Sequence, residues 1–213
     1  MSSYSLKDNF YVYATPGGAY YATLSARKEP ARRFLQRLLG EKVTPLLTQD
    51  LLEEWSGLHG DEALELAHRM QSLGFIQGLE ASMEPPEGRM EDLLSELLKE
   101  LSDDGRAVLA ESQGLYISSS GYPHETAVEL AALSAELVDL RSRHAGLVDS
   151  NLGLASGAWA LVNAAGNSEI GFWPLYYGGE RFTLIAAGRP QFNRSAFISL
   201  IWVLGQRYGR KIE

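Results

Sequence analysis

The chain lacks several features that would define its chemistry. It has no cysteine, which excludes disulfide bonds, thiolate metal ligands and a cysteine nucleophile. It has no apolar run long enough to cross a bilayer, and no basic-then-apolar start of the signal-peptide kind. The Gly-x-x-x-x-Gly-Lys-Ser/Thr pattern of a P-loop is also missing. We therefore expect a cytoplasmic protein of bacterial type that holds no nucleotide through such a loop.

Positive charge is in short supply, with 19 lysines and arginines against 27 aspartates and glutamates, a net charge of −8. Residues 81–150 hold five basic and fourteen acidic side chains, whereas residues 151–213 hold six basic and three acidic ones. Phosphate backbones repel such a chain, so we do not expect nucleic acid as a partner. The uneven charge predicts solvated faces. The alternative is that the basic C-terminal part docks on an acidic surface of another molecule.

The N-terminal residues form short elements. Two alternating runs, Phe10–Ala14 and Ala19–Leu24, flank Thr15-Pro16-Gly17-Gly18, and this pattern predicts a β-hairpin. Three amphipathic helices and a returning strand are expected next, at Glu29–Leu39, after the N-cap candidate Thr48, from Gly60 to Leu73, and at Phe75–Leu79.

Three short helices followed by a β wing resemble a winged-helix domain over about Phe10–Ala81. In that family the third helix usually reads the major groove of DNA. Here that helix, Asp61–Gln71, carries three carboxylates and one arginine, whereas a DNA-reading helix needs basic side chains. We therefore interpret this domain as a protein-interaction module. DNA binding is the alternative, which Arg32, Arg33 and Arg37 on the first helix keep open.

A linker divides the chain. Two prolines and a glycine in Glu84-Pro85-Pro86-Glu87-Gly88 cannot continue a helix or a strand. We expect a winged-helix-like domain at residues 1–83, a linker at 84–90 and a second domain at 91–213.

The second domain has the element order helix, two strands, helix, three strands, helix, which predicts an α+β fold with an antiparallel sheet covered by helices. The helices are expected at Glu91–Leu101, at Pro123–His144 and after Asn193. The strands are expected at Ala107–Glu111, Leu115–Ser119, Ala158–Asn163, Glu169–Tyr177 and Arg181–Ala187. The central helix, Pro123–His144, is apolar on more than one face and must be covered on two sides. One cover is its own sheet, and we expect the other to be a second copy of the chain.

This domain resembles the roadblock (dynein light chain-like, MglB-like) family over about Glu91–Gly209. The matching features are the Asp104-Gly105 turn, the Gln113-Gly114 hairpin, the alanine-rich central helix, the small-residue strand Ala158–Ala164 and the Gly178-Gly179 hairpin. The resemblance implies a roadblock/profilin-like fold and a non-enzymatic homodimer, in which the third strands pair into one sheet and the central helices pack side by side. It also implies a partner, because bacterial members bind small Ras-like GTPases and can stimulate their hydrolysis.

The resemblance points to two surfaces. The dimer interface is expected on the central helix and the third strand, at Ala127, Leu130, Ala131, Ser134, Leu137, Val138, Trp159, Leu161 and Asn163. A partner surface is expected on the later strands, at Trp173, Tyr177, Arg181 and Arg189. For most of the aromatic residues in these strands, we favour core packing over this partner role.

Little in the sequence suggests catalysis. The four histidines are scattered and never lie four residues apart, so we expect no metal site and no cofactor. His124 follows Ser118-Ser119-Ser120, but no Gly-x-Ser-x-Gly elbow is present, and local hydrogen bonding is the expected role of these serines.

The expected function is therefore that of a homodimeric regulator or scaffold for a small Ras-like GTPase. The first alternative is a ligand-sensing transcriptional regulator that binds DNA through the winged helix. The second is a hydrolase that uses Ser119 and His124.

Overall fold

The computed structural model describes residues 4–7, 9–154 and 156–209 of the 213-residue chain. These residues form two units. Unit 1 comprises the described residues of 4–87, 177–179 and 193–209, and unit 2 comprises those of Gly88–Tyr176 and Glu180–Phe192. The helices are α1 (Pro16–Thr23), α2 (Pro30–Leu38), α3 (Gln49–Ser56), α4 (Gly60–Ser72), α5 (Met90–Glu100), α6 (His124–Arg143) and α7 (Ser195–Tyr208). The strands are β1 (Tyr11–Ala14), β2 (Ile76–Leu79), β3 (Ala107–Glu111), β4 (Tyr116–Ser120), β5 (Trp159–Val162), β6 (Ser168–Tyr177) and β7 (Glu180–Ala187), and a π-helix spans Gly146–Asn151.

Unit 1 contains a two-stranded sheet made by β1 and β2, which pair antiparallel with Ala14 opposite Ile76. Helices α1 to α4 lie between these strands in the chain. The three helices predicted after the first strand are confirmed, and Thr48 caps α3 because its Oγ1 accepts a hydrogen bond from the Leu51 N–H at 3.2 Å. The buried core of these elements includes Phe34, Leu52 and Met70.

The predicted hairpin at residues 10–24 is wrong in its second half, where α1 replaces the expected strand. Thr-Pro-Gly-Gly begins a helix here. Thr15 is the N-cap, its Oγ1 accepts from the Gly18 N–H at 3.1 Å, and Pro16 lies in the first turn. A Cβ atom on Gly18 would lie 2.0 Å from the carbonyl oxygen of Phe75, so glycine is what allows this close approach.

The last helix, α7, belongs to unit 1, whereas the sequence analysis placed residues 91–213 in one domain. Nine residues of α7 are buried. The indole nitrogen of Trp202 donates to the carbonyl oxygen of Glu41 at 2.6 Å. Tyr177 also lies in this unit, where its hydroxyl donates to the carbonyl oxygen of Gln36 and burial raises the pKa of the phenol. The N-terminal core is therefore completed by residues from the end of the chain.

Unit 2 contains a five-stranded sheet in the order β4-β3-β7-β6-β5. The registered pairs are antiparallel, with Val108 of β3 opposite Ser119 of β4 and Ile185 of β7. Residues 107–110 of β3 are fully buried, as expected for a strand covered on both faces. The sheet and the order of elements predicted for residues 91–209 are confirmed, with bounds close to the predicted ones.

Helix α6 covers one face of this sheet. Its Ala127 and Ala131 form a core cluster with Val108, Phe172 and Ile185, among others. Helix α5 packs against β3 and β4 through residues that include the buried Leu94 and Leu98. Of the helices in the described residues, none combines the length and hydropathy needed to cross a membrane.

Candidate interaction surface

Strand β5 forms one edge of the sheet in unit 2, and all four of its residues are exposed. Leu161 and Val162 are 63% and 60% exposed, and Trp159 is 37% exposed. The opposite edge strand, β4, ends in three serines. An edge strand presents unpaired N–H and C=O groups, and an apolar one is a template for pairing with another strand. Strand β5 is therefore the edge suited to association.

The register of β5 shows which side of the sheet its side chains occupy. Trp159 lies opposite Phe172 of β6, and Leu161 lies opposite Ile170. Directly opposed residues share one face of a sheet. Because Phe172 and Ile170 pack in the core under α6, Trp159 and Leu161 lie on the same face as that helix. Their side chains extend the apolar layer of the core beyond the helix, towards solvent.

Helix α6 offers less apolar surface than the sequence predicted. Ala127, Ala131 and Ser134 of the expected interface are buried in their own unit, so they have no surface left for a second copy. The small side chains of Ala127 and Ala131 allow the helix to pack closely on its own sheet. The remaining helical residues of the expected interface, Leu130, Leu137 and Val138, are half-buried. The exposed large apolar side chains of α6 are Val128 and Leu133.

A second group of exposed apolar residues lies between α6 and β5. Leu147, Leu152 and Leu154 are 50%, 58% and 53% exposed. This segment is folded, since the Leu152 N–H donates to the Leu147 carbonyl at 2.9 Å. The sequence analysis did not identify these three leucines as surface residues. The signal that would identify them is their position outside any predicted amphipathic helix or strand.

Arg141 attaches the leucine-bearing segment to α6. Its Nη2 donates to Asp149 Oδ1 at 2.6 Å and to the carbonyl oxygen of Ser156 at 3.3 Å. The side chain of Arg141 is mostly buried, so this ion pair is shielded from water on one side.

Asn163, another residue of the expected dimer interface, makes hydrogen bonds within its own turn. Its Oδ1 accepts from the N–H groups of Ala165 and Asn167 in the turn after β5. Asn163 therefore stabilises the turn that ends the β5 edge.

The expected partner surface is not one continuous group. Tyr177 is buried in unit 1 and is a core residue, which is the role that the sequence analysis favours for most of these aromatic residues. In unit 2, Trp173 packs edge-to-face on Phe192, with ring centroids 5.0 Å apart. Arg181 is half-buried and its Nη2 donates to the carbonyl oxygen of Ser112 at 3.1 Å. Arg189 is exposed, and its Nε donates to Asp103 at 3.1 Å.

Arg189, which follows β7, binds to a polar turn that joins α5 to β3. The backbone and side-chain N–H groups of Arg189 hold the pKa of Asp103 below its ordinary value. At Asp104, burial raises the pKa, but hydrogen bonds from Arg106 and Ser102 outweigh it, so the pKa is also lowered. The paired carboxylates therefore hold a turn together and stay ionised. The hydrogen bonds of Asp103 and Asp104 thus stabilise the fold at this turn.

The structure does not join Ser119 to His124. His124 Nδ1 lies 2.7 Å from the hydroxyl of Tyr116, with the two rings edge to face. Ser119 pairs with Val108 in the sheet, and its carbonyl oxygen accepts from Ser95 Oγ at 3.1 Å. A nucleophile needs its base within hydrogen-bond reach, and this arrangement gives His124 another partner. Among the described residues, no cluster of histidine, aspartate and glutamate could hold a metal ion.

The arginines of α2 are used within unit 1. Arg32 is buried, donates to the carbonyl oxygens of Tyr21 and Arg27, and lies 4.7 Å from the Tyr21 ring centroid. Arg37 pairs with Glu54 at 3.3 Å, and the guanidinium of Arg33 lies against the backbone of Gly57. Side chains engaged in this way are not directed at a phosphate backbone. The structure offers no further support for the DNA-binding alternative.

Comparison with known proteins identifies several similar solved structures, among them the following two. One is a roadblock/LC7 domain from Streptomyces avermitilis, 17% identical, with 58% of this chain and 96% of that chain covered and a TM-score of 0.36. The other is Myxococcus xanthus MglB, 16% identical, with 58% of this chain and 93% of that chain covered and a TM-score of 0.34. No protein-family profile and no curated protein matches the chain. These two structures bear the roadblock/LC7 and MglB names, and the winged-helix resemblance of the N-terminal residues is not confirmed.

Proposed function

We propose that this chain is a non-enzymatic regulatory or scaffold protein that forms a homodimer through β5 and binds a small Ras-like GTPase. The observation that carries the dimer is the apolar edge strand, with Trp159, Leu161 and Val162 exposed. The residues before it add three exposed leucines. Two copies of one edge strand can pair antiparallel about a two-fold axis. The pairing satisfies the free backbone groups of both edge strands, and each copy buries the same exposed residues against the other.

The dimer is tested by light scattering on the full chain. Leu161→Asp places a charge in the proposed interface, and we expect it to shift the mass from dimer to monomer at micromolar concentration. Because Leu161 is 63% exposed, the monomer itself should stay folded. The matched control is Leu115→Asp, which changes a leucine that is 62% exposed at the β3–β4 turn and should leave the dimer intact. A monomeric wild type, or a dimer that tolerates Leu161→Asp, would refute the proposed interface.

The GTPase as partner rests on the roadblock resemblance of residues 91–209. In this proposal the chain acts on hydrolysis by repositioning groups of the GTPase itself, with Arg181 and Arg189 as the arginines to examine. Unit 1 supplies a protein-contact module. The direct test is capture of small Ras-like GTPases encoded in the same genome, each loaded with GDP or with a non-hydrolysable GTP analogue. Binding that depends on the nucleotide supports the proposal. Absence of binding to all of them would reject the GTPase and leave the dimer unaffected.

A further inference from the structure

Unit 1 contains a cleft that the proposed function does not use. It has a volume of about 370 Å³ and lies between the N-terminal segment at residues 4–7, helix α4 and strands β1 and β2. Ligand-binding pockets in proteins usually measure roughly 300–1,000 Å³, so the cleft is large enough for a small molecule. Every lining residue named below belongs to unit 1.

The floor of the cleft is apolar and well ordered by packing. Val12 of β1, Ala67 of α4 and Ile76 of β2 all line it, and each is at most 6% exposed. Ala67 has the smallest side chain of the three, and a larger one at this position would fill part of the space. Apolar floors of this kind favour a ligand whose body is also apolar.

The walls of the cleft are aromatic. Tyr4 stacks on His68, with ring centroids 4.1 Å apart and the ring planes 18° from parallel. Phe10 also lines the cleft, with the ammonium group of Lys7 4.7 Å from its ring centroid. Aromatic rings therefore form part of the cleft surface. Such rings favour a planar ligand, because stacking brings the whole face of the ligand into contact with the ring.

A side-chain amide also lines the cleft. Gln71 of α4 is exposed at the cleft, one helical turn after Ala67, and its amide offers both a donor and an acceptor. A ligand with hydrogen-bonding atoms on one edge can satisfy this amide while its apolar body lies on the floor.

We propose that this cleft binds a small planar aromatic compound. The ring lies between the floor at Ala67 and the aromatic walls, and a hydrogen-bonding edge faces Gln71. The N-terminal segment forms one side of the site, so binding also holds Tyr4 against His68. This inference is independent of the dimer and of the GTPase, because it concerns unit 1 alone.

The test is an NMR titration of the full chain with indole, a planar ring with one N–H donor. We expect saturable shifts in the backbone amides of α4 and β2. Cyclohexanol, an aliphatic ring with a hydroxyl group, should bind at least tenfold more weakly. Shifts that do not saturate, shifts confined to other parts of the chain, or equal binding of the two compounds would overturn the proposal.

Two variants locate the site. Ala67→Met fills the floor and should weaken indole binding at least tenfold. Because Ala67 is buried, Ala67→Met could also disturb the fold, so a second variant changes an exposed position. In Gln71→Trp the new indole ring should cover the cleft and compete with added indole. The matched control is Glu65→Trp, an exposed residue of the same helix that does not line the cleft. If Gln71→Trp binds indole as well as Glu65→Trp does, the site is elsewhere.

Discussion

At the scale of the residue, burial separates the side chains that hold the fold from those available to a partner. Ala127 and Ser134 on α6 face their own sheet, whereas Leu161 and Val162 on β5 face solvent. The sequence shows that both groups are small or apolar, and it cannot show which of them is covered. The same is true of charge. Arg32, which looks available on an amphipathic helix, is 4% exposed and serves the core of unit 1.

The turn before β3 gives a prediction about pH. Asp104 has a lowered pKa in the folded state, because hydrogen bonds from Arg106 and Ser102 outweigh the effect of burial. A lowered folded pKa adds stability above the unfolded pKa of about 4, and that stability is lost as the pH falls through the folded value. We expect Asp104→Asn to lower the free energy of unfolding by up to about 1 kcal/mol at pH 7, since the pair is partly exposed.

The measurement is urea denaturation of wild type and Asp104→Asn between pH 7 and pH 2. The difference between them should shrink as the pH falls below about 4, because Asp104 of the wild type then binds a proton first in the unfolded chain and, at lower pH, also in the folded one. Asp139→Asn, at an exposed position of α6, is the control for removing one negative charge. A difference that stays constant down to pH 2 would show that the ionised form of Asp104 adds no stability.

At the scale of the element, the sequence predicts the helices and strands with a regular apolar spacing. Its prediction fails where one short segment is compatible with two different local structures. The apolar spacing of α5 and α6 and the turn glycine Gly114 predict their elements correctly. At Thr15–Gly18, a proline and two glycines fit both a turn and a helix start. The structure selects the helix because Gly18 must pass close to the backbone of Phe75, a contact distant in sequence. No local pattern contains that information.

Two neighbouring glycines of α1 test this explanation. A Cβ on Gly18 would lie 2.0 Å from the Phe75 carbonyl oxygen, so we expect Gly18→Ala to destabilise the chain by about 1–3 kcal/mol or more. A Cβ on Gly17 would have its nearest neighbour at 3.7 Å. Gly17→Ala should therefore be neutral or stabilise by up to about 1 kcal/mol, because alanine is the better helix former. Urea denaturation of the two variants measures both values. Equal effects would mean that the contact with Phe75 does not restrict α1.

At the scale of the whole molecule, chain order and unit membership differ. A linker at residues 84–90 is visible in the sequence, and a change of unit falls at Glu87 and Gly88. The sequence does not show that α7 belongs to unit 1. Apolar residues lie on all sides of this helix, so the sequence indicates only that the helix is buried. What covers it depends on partners far away in the chain, such as Tyr20, whose ring lies 6.1 Å from that of Phe197.

Local unfolding can show which unit α7 stabilises. Trp202 is 3% exposed and donates to the Glu41 carbonyl, so Trp202→Ala should cost about 3–5 kcal/mol. We expect hydrogen exchange to accelerate first in α1 and α2 of unit 1. The matched change in unit 2 is Leu109→Ala, at a fully buried position of β3, which should cost about 2–5 kcal/mol and accelerate exchange in β4 and α5. Mass spectrometry of exchanged peptides reads both patterns. If Trp202→Ala instead accelerates exchange in β3 and β4 while α1 and α2 stay protected, α7 stabilises the sheet of unit 2 and its assignment to unit 1 is wrong.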